Sequence, residues 1–256
     1  MKDSSAVSDG CSFEEFFKDV GYISETKWAW QNLKEIIKGL ISHFNCKEVM
    51  EIGGGRNPLF SREECIDLGI NYTINDIFQK ELDLAPDFVQ KVCFDASGDI
   101  SSNNIEKGRY DLAFSRMFFE HVRDGGKVYK NIFSLLRRGG INFAFYPTLY
   151  SPPFVLNKFF PENFSSKLVR LLIPSRVPSV APKFPAHYSW CFGQKTKMEK
   201  RIKSLGFEEA LVLPFYGHYY FKKIAILRDI DNFWSKLSQK REWESFSSYA
   251  FSLARK

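Results

Sequence analysis

One stretch, "EVMEIGGGRNPLF" at residues 48–60, constrains the fold more than any other part of the chain. Its first residues read as a buried strand, its three glycines as a tight turn, and the apolar residues after Pro58 as the approach to a helix. A glycine turn between strand and helix allows close approach of backbone to a ligand at the carboxyl end of the strand, the edge where α/β sheets bind. The helix expected next, "FSREECIDLG" (60–69), closes on Gly69, a residue suited to a helix C-terminus.

The same alternation continues downstream. "NYTIND" (71–76) and "QKVCFD" (90–95) read as second and third strands, each ending on an acid, and "YDLAFSRM" (110–117) as a fourth. A helix is expected over 125–140, stopped by Gly139-Gly140, and a fifth strand over 141–147. Strand and helix in repetition mean a parallel sheet covered on both faces. Before it, Trp28, Trp30, Leu33, Ile36, Ile37, Leu40 and Ile41 follow helical spacing within Lys27–Phe44, so an amphipathic helix is expected there. After it come a helix at 195–207, strands at 208–214 and 248–256, and a helix within 217–243. Residues 147–190 hold eight of the eleven prolines, so this stretch is expected to be an elaborated loop leaving the end of strand five, of the kind that serves as a binding loop or lid. The chain therefore reads as one domain over 1–256, with a helical extension at 1–44, an inserted lid at 148–190 and a second insertion at 215–243.

Three ligand readings of Gly53-Gly54-Gly55 compete: a nicotinamide or flavin, a nucleoside sulfonium, and no ligand at all. A dinucleotide fingerprint needs a further glycine where Pro58 stands, and a phosphate-cradling loop needs a closing Gly-Lys-Ser/Thr that is absent. The pattern acid-x-Gly-x-Gly, here Glu51 to Gly55, resembles the first motif of class I S-adenosylmethionine-dependent methyltransferases. "YDLAFSRMFFEHVRD" (110–124) resembles the strand-four segment of the small-molecule members, and "LRRGGINFAFYP" their turn into strand five. The resemblance covers residues 45–147 well and implies a seven-stranded, mostly parallel sheet with helices on both faces and a lid after strand five. It implies S-adenosylmethionine as cofactor, held by Glu51, Gly53, Gly54, Gly55, Asn57, Asp76, Ile77, Asp95, Ala96, Ser115 and Arg116. Within that set Asp76 is suited to accept hydrogen bonds from ribose hydroxyls, and Asp95 falls where the family places an acid near adenine. Asn57 replaces a glycine that the family often carries, and Asn tolerates left-handed backbone better than most residues.

Methyl transfer is an in-line displacement, so the protein must align a nucleophile and exclude water. A hydroxyl acceptor gains from a base, and neutral histidine suits that work. His121, just past strand four, is the first candidate; His187 in "PAHYSW" and His218 in "YGHYY" flank the insertions. As packing residues the latter two would belong to aromatic clusters. His43 and Asp111 read as structural, Asp111 because it starts strand four, far from the binding edge. "SPPF" (151–154) looks like the base-clamping loop of nucleic-acid amino-methyltransferases but follows strand five rather than strand four, so it reads as a decoy.

Charge bears on partners. Residues 1–147 carry 18 basic and 22 acidic side chains, residues 148–256 carry 18 and 8, so the second part is +10. Such a surface concentrates anions. The acceptor expected is a small molecule or a glycan, anionic or lipid-linked acceptors being compatible with this charge; structured RNA is the runner-up, and a non-catalytic module retaining the fold is the reading from another class. The five cysteines are scattered singly and are expected to be small buried residues, with neither a disulfide framework nor a metal site implied. No stretch has the apolar length to span a bilayer and no leader is evident, so a cytoplasmic protein is expected, with the lid's aromatic and basic residues compatible with peripheral contact at the inner membrane.

Overall fold

Two short sequence signatures start helices in the same way. Ser12 accepts a hydrogen bond from the Glu15 N–H while the Glu15 carboxylate accepts from the Ser12 N–H, opening α1 (Phe13–Asp19). Ser61 and Glu64 repeat the device at α3 (Arg62–Leu68), which closes on left-handed Gly69. Between them α2 (Thr26–His43) buries Ala29, Leu33, Ile36, Ile37, Leu40 and Ile41 along one face. The computed structural model describes residues 12–100, 105–151, 185–218, 221 and 224–256.

Seven strands form one sheet: β1 (Glu48–Ile52), β2 (Asn71–Asp76), β3 (Gln90–Cys93), β4 (Tyr110–Arg116), β5 (Leu136–Pro147), β6 (Glu209–Phe215) and β7 (Tyr249–Arg255), in the order β3-β2-β1-β4-β5-β7-β6. The pairs from β3 to β5 are parallel, and β7 runs antiparallel between β5 and β6. The chain leaves β1 in one direction for β2 and β3, then returns to β4 on its other side. The crevice at that reversal is where open α/β sheets take ligands. The remaining described helices are α4 (Gln79–Asp83), α5 (Gly125–Leu135), α6 (Lys195–Lys203) and α7 (Ala225–Lys240). Short 3-10 turns cover Phe119–His121 and Glu244–Phe246.

Aromatic packing anchors the antiparallel edge. Phe251 of β7 lies 4.9 Å from Phe143, 5.2 Å from Phe145 and 4.6 Å from Phe215, ring centre to ring centre. Each such pair adds about 0.5–1.5 kcal/mol beyond the area it buries. Asp111 is structural, as expected: its carboxylate accepts from the N–H groups of Lys47 (2.6 Å) and Glu48 (2.8 Å) and from Arg137, tying the start of β1 to β4 and β5.

Three local expectations are corrected. The helix expected to run to Gly140 stops at Leu135, because Leu136 already pairs with Tyr110 and residues 137–140 bulge out opposite Asp111 before Ile141 pairs with Leu112. Gly139, at φ +76°, donates to the Lys256 carbonyl, so the two glycines serve a bulge rather than a helix stop. The third strand ends at Cys93, two residues short of Asp95. Finally, Cys46, Cys65 and Cys191 are buried, but Cys93 is exposed on the outermost strand.

Candidate functional site

The glycine turn is pressed between its neighbours. Ile52 pairs with Asn75 on one side and Ser115 on the other, and the Gly54 N–H continues the ladder to the Asn75 carbonyl at 2.9 Å. Gly53 and Gly55 have φ of +72° and +52°, a region that costs any other residue energy. A Cβ at Gly53 would lie 2.5 Å from the Phe118 ring, one at Gly54 3.2 Å from the Glu51 carboxyl carbon, and one at Gly55 3.1 Å from Asp76 Oδ2. Backbone therefore forms the surface here, with no side chain between it and a ligand.

Glu51, Asn57 and Arg116 form one network beside that turn. The buried Glu51 carboxylate accepts from the Leu59 N–H (3.0 Å), the Tyr72 hydroxyl and Arg116 Nε (2.7 Å), and Arg116 also donates to the Asn57 carbonyl at 3.1 Å. Burial, followed by the Glu51 charge, pushes the Tyr72 hydroxyl well above its ordinary pKa, so it stays a donor. Glu51 thus spends its oxygens on protein donors, and what it presents at the sheet edge is a fixed, partly exposed Arg116 guanidinium.

Asp76, at the end of β2, accepts from the Phe78 N–H at 2.9 Å and faces Gly55 across the turn. Burial first, and then the charge of Glu81, raise its pKa, against the lowering effect of the Phe78 and Ile77 N–H groups. A carboxylate short of donors in a half-buried place suits a pair of incoming hydroxyls. Ile77 and Phe78 follow as exposed apolar residues, 53% and 49% accessible. Asp95 Oδ1 holds the Ser97 N–H and hydroxyl, both at 2.8 Å, while Asn131 of α5 clamps the carbonyls of Ala96 and Gly98 at 2.9 Å. Ser115 Oγ is buried at the end of β4 without a hydrogen-bond partner among the described residues, an expense a native fold seldom tolerates without purpose. The bare glycine turn, the donor-poor Asp76 and this orphaned hydroxyl fit a polar nucleoside ligand at the switch point.

Beyond β4 the chain makes a second cluster, which reading the sequence missed in one member. Met117 takes a left-handed conformation (φ +50°) and its N–H holds the Phe145 carbonyl at 2.8 Å, turning the chain into Phe119–His121. Glu120 is 4% exposed, its Oε2 has no hydrogen-bond partner among the described residues, and burial raises its pKa to about 8. Its carbonyl accepts from the His187 and Tyr188 N–H groups at 2.7 and 3.1 Å. His121 Nδ1 lies 3.1 Å from the Pro185 carbonyl; a carbonyl can only accept, so Nδ1 is the donor of that hydrogen bond. Nε2 lies 3.8 Å from the Glu120 carboxyl. A signal for Glu120 existed in the sequence: an acid directly after Phe118-Phe119 interrupts an apolar run.

His121 and His187 are thus brought together through Glu120, and Trp190 locks the segment onto α5, where a Cβ at Gly126 would sit 2.7 Å from the indole. His218 stands apart. It follows β6, three strand positions from β4 and on the order of 14 Å away at ordinary strand spacing, and its buried Nε2 pairs with Asp231 of α7 at 2.9 Å. The lid's expected acceptor contacts between 152 and 184, with the "SPPF" prolines, lie outside the described residues.

Residues 50–144 match the protein-family model described as "Methyltransferase domain". A solved SAM-dependent methyltransferase from Archaeoglobus fulgidus is 17% identical, with a TM-score of 0.51 over 91% of this chain and 100% of that one. The phosphoethanolamine N-methyltransferase 2 of Haemonchus contortus, solved with S-adenosylhomocysteine and phosphomonomethylethanolamine, is 17% identical with a TM-score of 0.53 over 96% of this chain, which spans 61% of that enzyme. No curated protein sequence matches. The sheet order and the glycine turn define the class I, Rossmann-like methyltransferase fold. By that fold and by the match over residues 50–144 the chain is similar to S-adenosylmethionine-dependent methyltransferases.

Proposed function

We propose that the protein methylates a hydroxyl of a small-molecule or glycan acceptor, including lipid-linked ones. The observation that carries this reading is the Glu120–His121 pair just past β4: an imidazole whose Nδ1 is held on the Pro185 carbonyl, beside a buried carboxyl whose pKa of about 8 keeps it protonated at neutral pH. An ionised carboxylate at that distance would favour the imidazolium and spoil it as a base; a neutral one does not. An amine or carboxylate acceptor would need no such arrangement.

Bound at the glycine turn, the cofactor supplies an electrophilic methyl group on a sulfonium. Asp76 would accept from the ribose hydroxyls, with Ile77 against the base and Asp95 and Ala96 near its amino edge. Gly53 to Gly55, Asn57, Ser115 and Arg116 would line the remainder, with Glu51 holding Arg116 in place. His121 Nε2 takes the acceptor's proton as its oxygen attacks, and Glu120 positions and tunes that imidazole. His187, joined to Glu120 through its backbone, is the second candidate for the base; His218 is the third and is better placed to hold α7.

The test is transfer of labelled methyl from S-adenosylmethionine to a panel of free and lipid-linked sugars. A product stable to mild base, an ether, is expected, and His121→Gln should slow the chemical step about 10²–10⁴-fold while leaving cofactor affinity unchanged. Label found only on amines, or released as methanol by base, would overturn the assignment. The charge of +10 over residues 148–256 carries a second reading, structured RNA as acceptor; label on RNA, with salt-sensitive retention, would favour it.

A further inference from the structure

Helix α7 is mounted with its apolar side outward. Ile226, Ile230 and Phe233 recur at i, i+4 and i+7, which places them on one face, and they are 73%, 62% and 68% exposed. The helix is held to the fold by a different face: Asp231 pairs with His218, Ser238 is buried, and Trp234 packs on Trp243 and Phe246 at ring distances of 5.6 and 5.4 Å. A surface helix ordinarily does the reverse, turning its apolar stripe to the core.

The charges around the stripe say what covers it. Lys236 and Lys240 stand on its flank and are exposed, and Lys222 and Lys223 precede the helix in sequence. The two acids of α7 do not oppose them: Asp229 is paired with Arg228 at 2.8 Å and Asp231 faces inward to His218, while the exposed Glu242 lies past the helix end beside Arg241. Trp243 and Phe246, 40% and 39% exposed, extend the apolar surface beside the helix with residues of the kind that settle at membrane interfaces. Apolar side chains on one face, lysines at its border and a +10 half-chain match an anionic lipid surface in both its layers.

We propose that α7 docks the protein on an anionic membrane surface, lying in the plane of the interface with Ile226, Ile230 and Phe233 inserted at the boundary of headgroups and acyl chains. Because β6 runs parallel to β1 and β4, the chain enters α7 from the same sheet edge that carries the glycine turn. Docking turns that edge toward the lipid. The inference does not depend on the identity of the methyl acceptor.

Flotation of the full-length protein with vesicles tests it, using phosphatidylcholine alone and phosphatidylcholine mixed with phosphatidylglycerol. The protein should float with the mixed vesicles, less so as salt rises, and Ile226→Ser/Ile230→Ser/Phe233→Ser should weaken partitioning by about 100-fold or more. Should that variant fold poorly, Phe233→Trp gives an independent reading: its added fluorescence should be quenched by vesicles of brominated lipid. Absence of flotation with mixed vesicles, flotation unchanged in the triple variant, or an unquenched Trp at 233 would each overturn the proposal. So would a wild-type dimer that the triple variant converts to monomer without any vesicle binding, since the stripe would then be an interface between copies.

Discussion

Glu120→Gln removes one ionisation and keeps the side chain's shape, so its effect can be worked out from the burial of that residue. The folded carboxyl ionises at about 8, against an ordinary value of 4.5. Between those values the folded protein keeps a proton that the unfolded chain releases. Stability contributed by the neutral carboxyl is therefore fully present below 4.5 and lost as pH rises through 8. Integrating the proton difference from pH 5 to 9 gives a loss of about 4 kcal/mol in the wild type that the glutamine variant escapes. Urea unfolding followed by tryptophan fluorescence at pH 5, 6, 7, 8 and 9 measures it. The variant's midpoint should rise relative to wild type by about 1–2 M across that range. Midpoints that run in parallel would mean that Glu120 ionises normally, and the argument for a neutral carboxyl beside His121 would fail.

Gly53→Ala forces a Cβ to within 2.5 Å of the Phe118 ring at a φ of +72°; it should cost about 1–3 kcal/mol in thermal unfolding and weaken S-adenosylhomocysteine binding measured calorimetrically. Asp231→Ala leaves the buried His218 imidazole without its carboxylate partner; a loss of about 1–3 kcal/mol is expected, with faster amide exchange concentrated in α7.

Much of the cofactor half was legible because its determinants are local. The alternation around β1, β2 and β4 lies in consecutive residues, and the glycines at 53 and 55 announce backbone that other residues resist. Helix α1 was also legible, since "SFEE" is a capping box, but it lay outside the periodic stretch taken as the first helix. The boundary between α5 and β5 was not. Leu135 and Leu136 are equally apolar, and the strand begins where it does because Tyr110 and Asp111, distant in sequence, pair with Leu136 and Arg137. Glu51 reads from its motif as a cofactor ligand, whereas its carboxylate is taken by Arg116 and Tyr72, whose approach depends on strand register. Glu120 escaped for a similar reason: the segment that meets its backbone, His187 and Tyr188, lies at the far end of the lid, more than sixty residues on in the sequence. For α7, periodicity shows that a stripe exists but not which way it faces.

Whether the glycine turn and Asp76 hold a nucleoside sulfonium rather than a dinucleotide is tested most directly by calorimetric titration. Wild-type protein and Asp76→Ala are each titrated with S-adenosylhomocysteine and, separately, with NADH. Wild type should bind S-adenosylhomocysteine and not NADH, and Asp76→Ala should bind about 10–100-fold more weakly, since the ribose hydroxyls lose a charged acceptor. Binding of NADH without S-adenosylhomocysteine, or a variant that binds as tightly as wild type, would contradict the sulfonium reading.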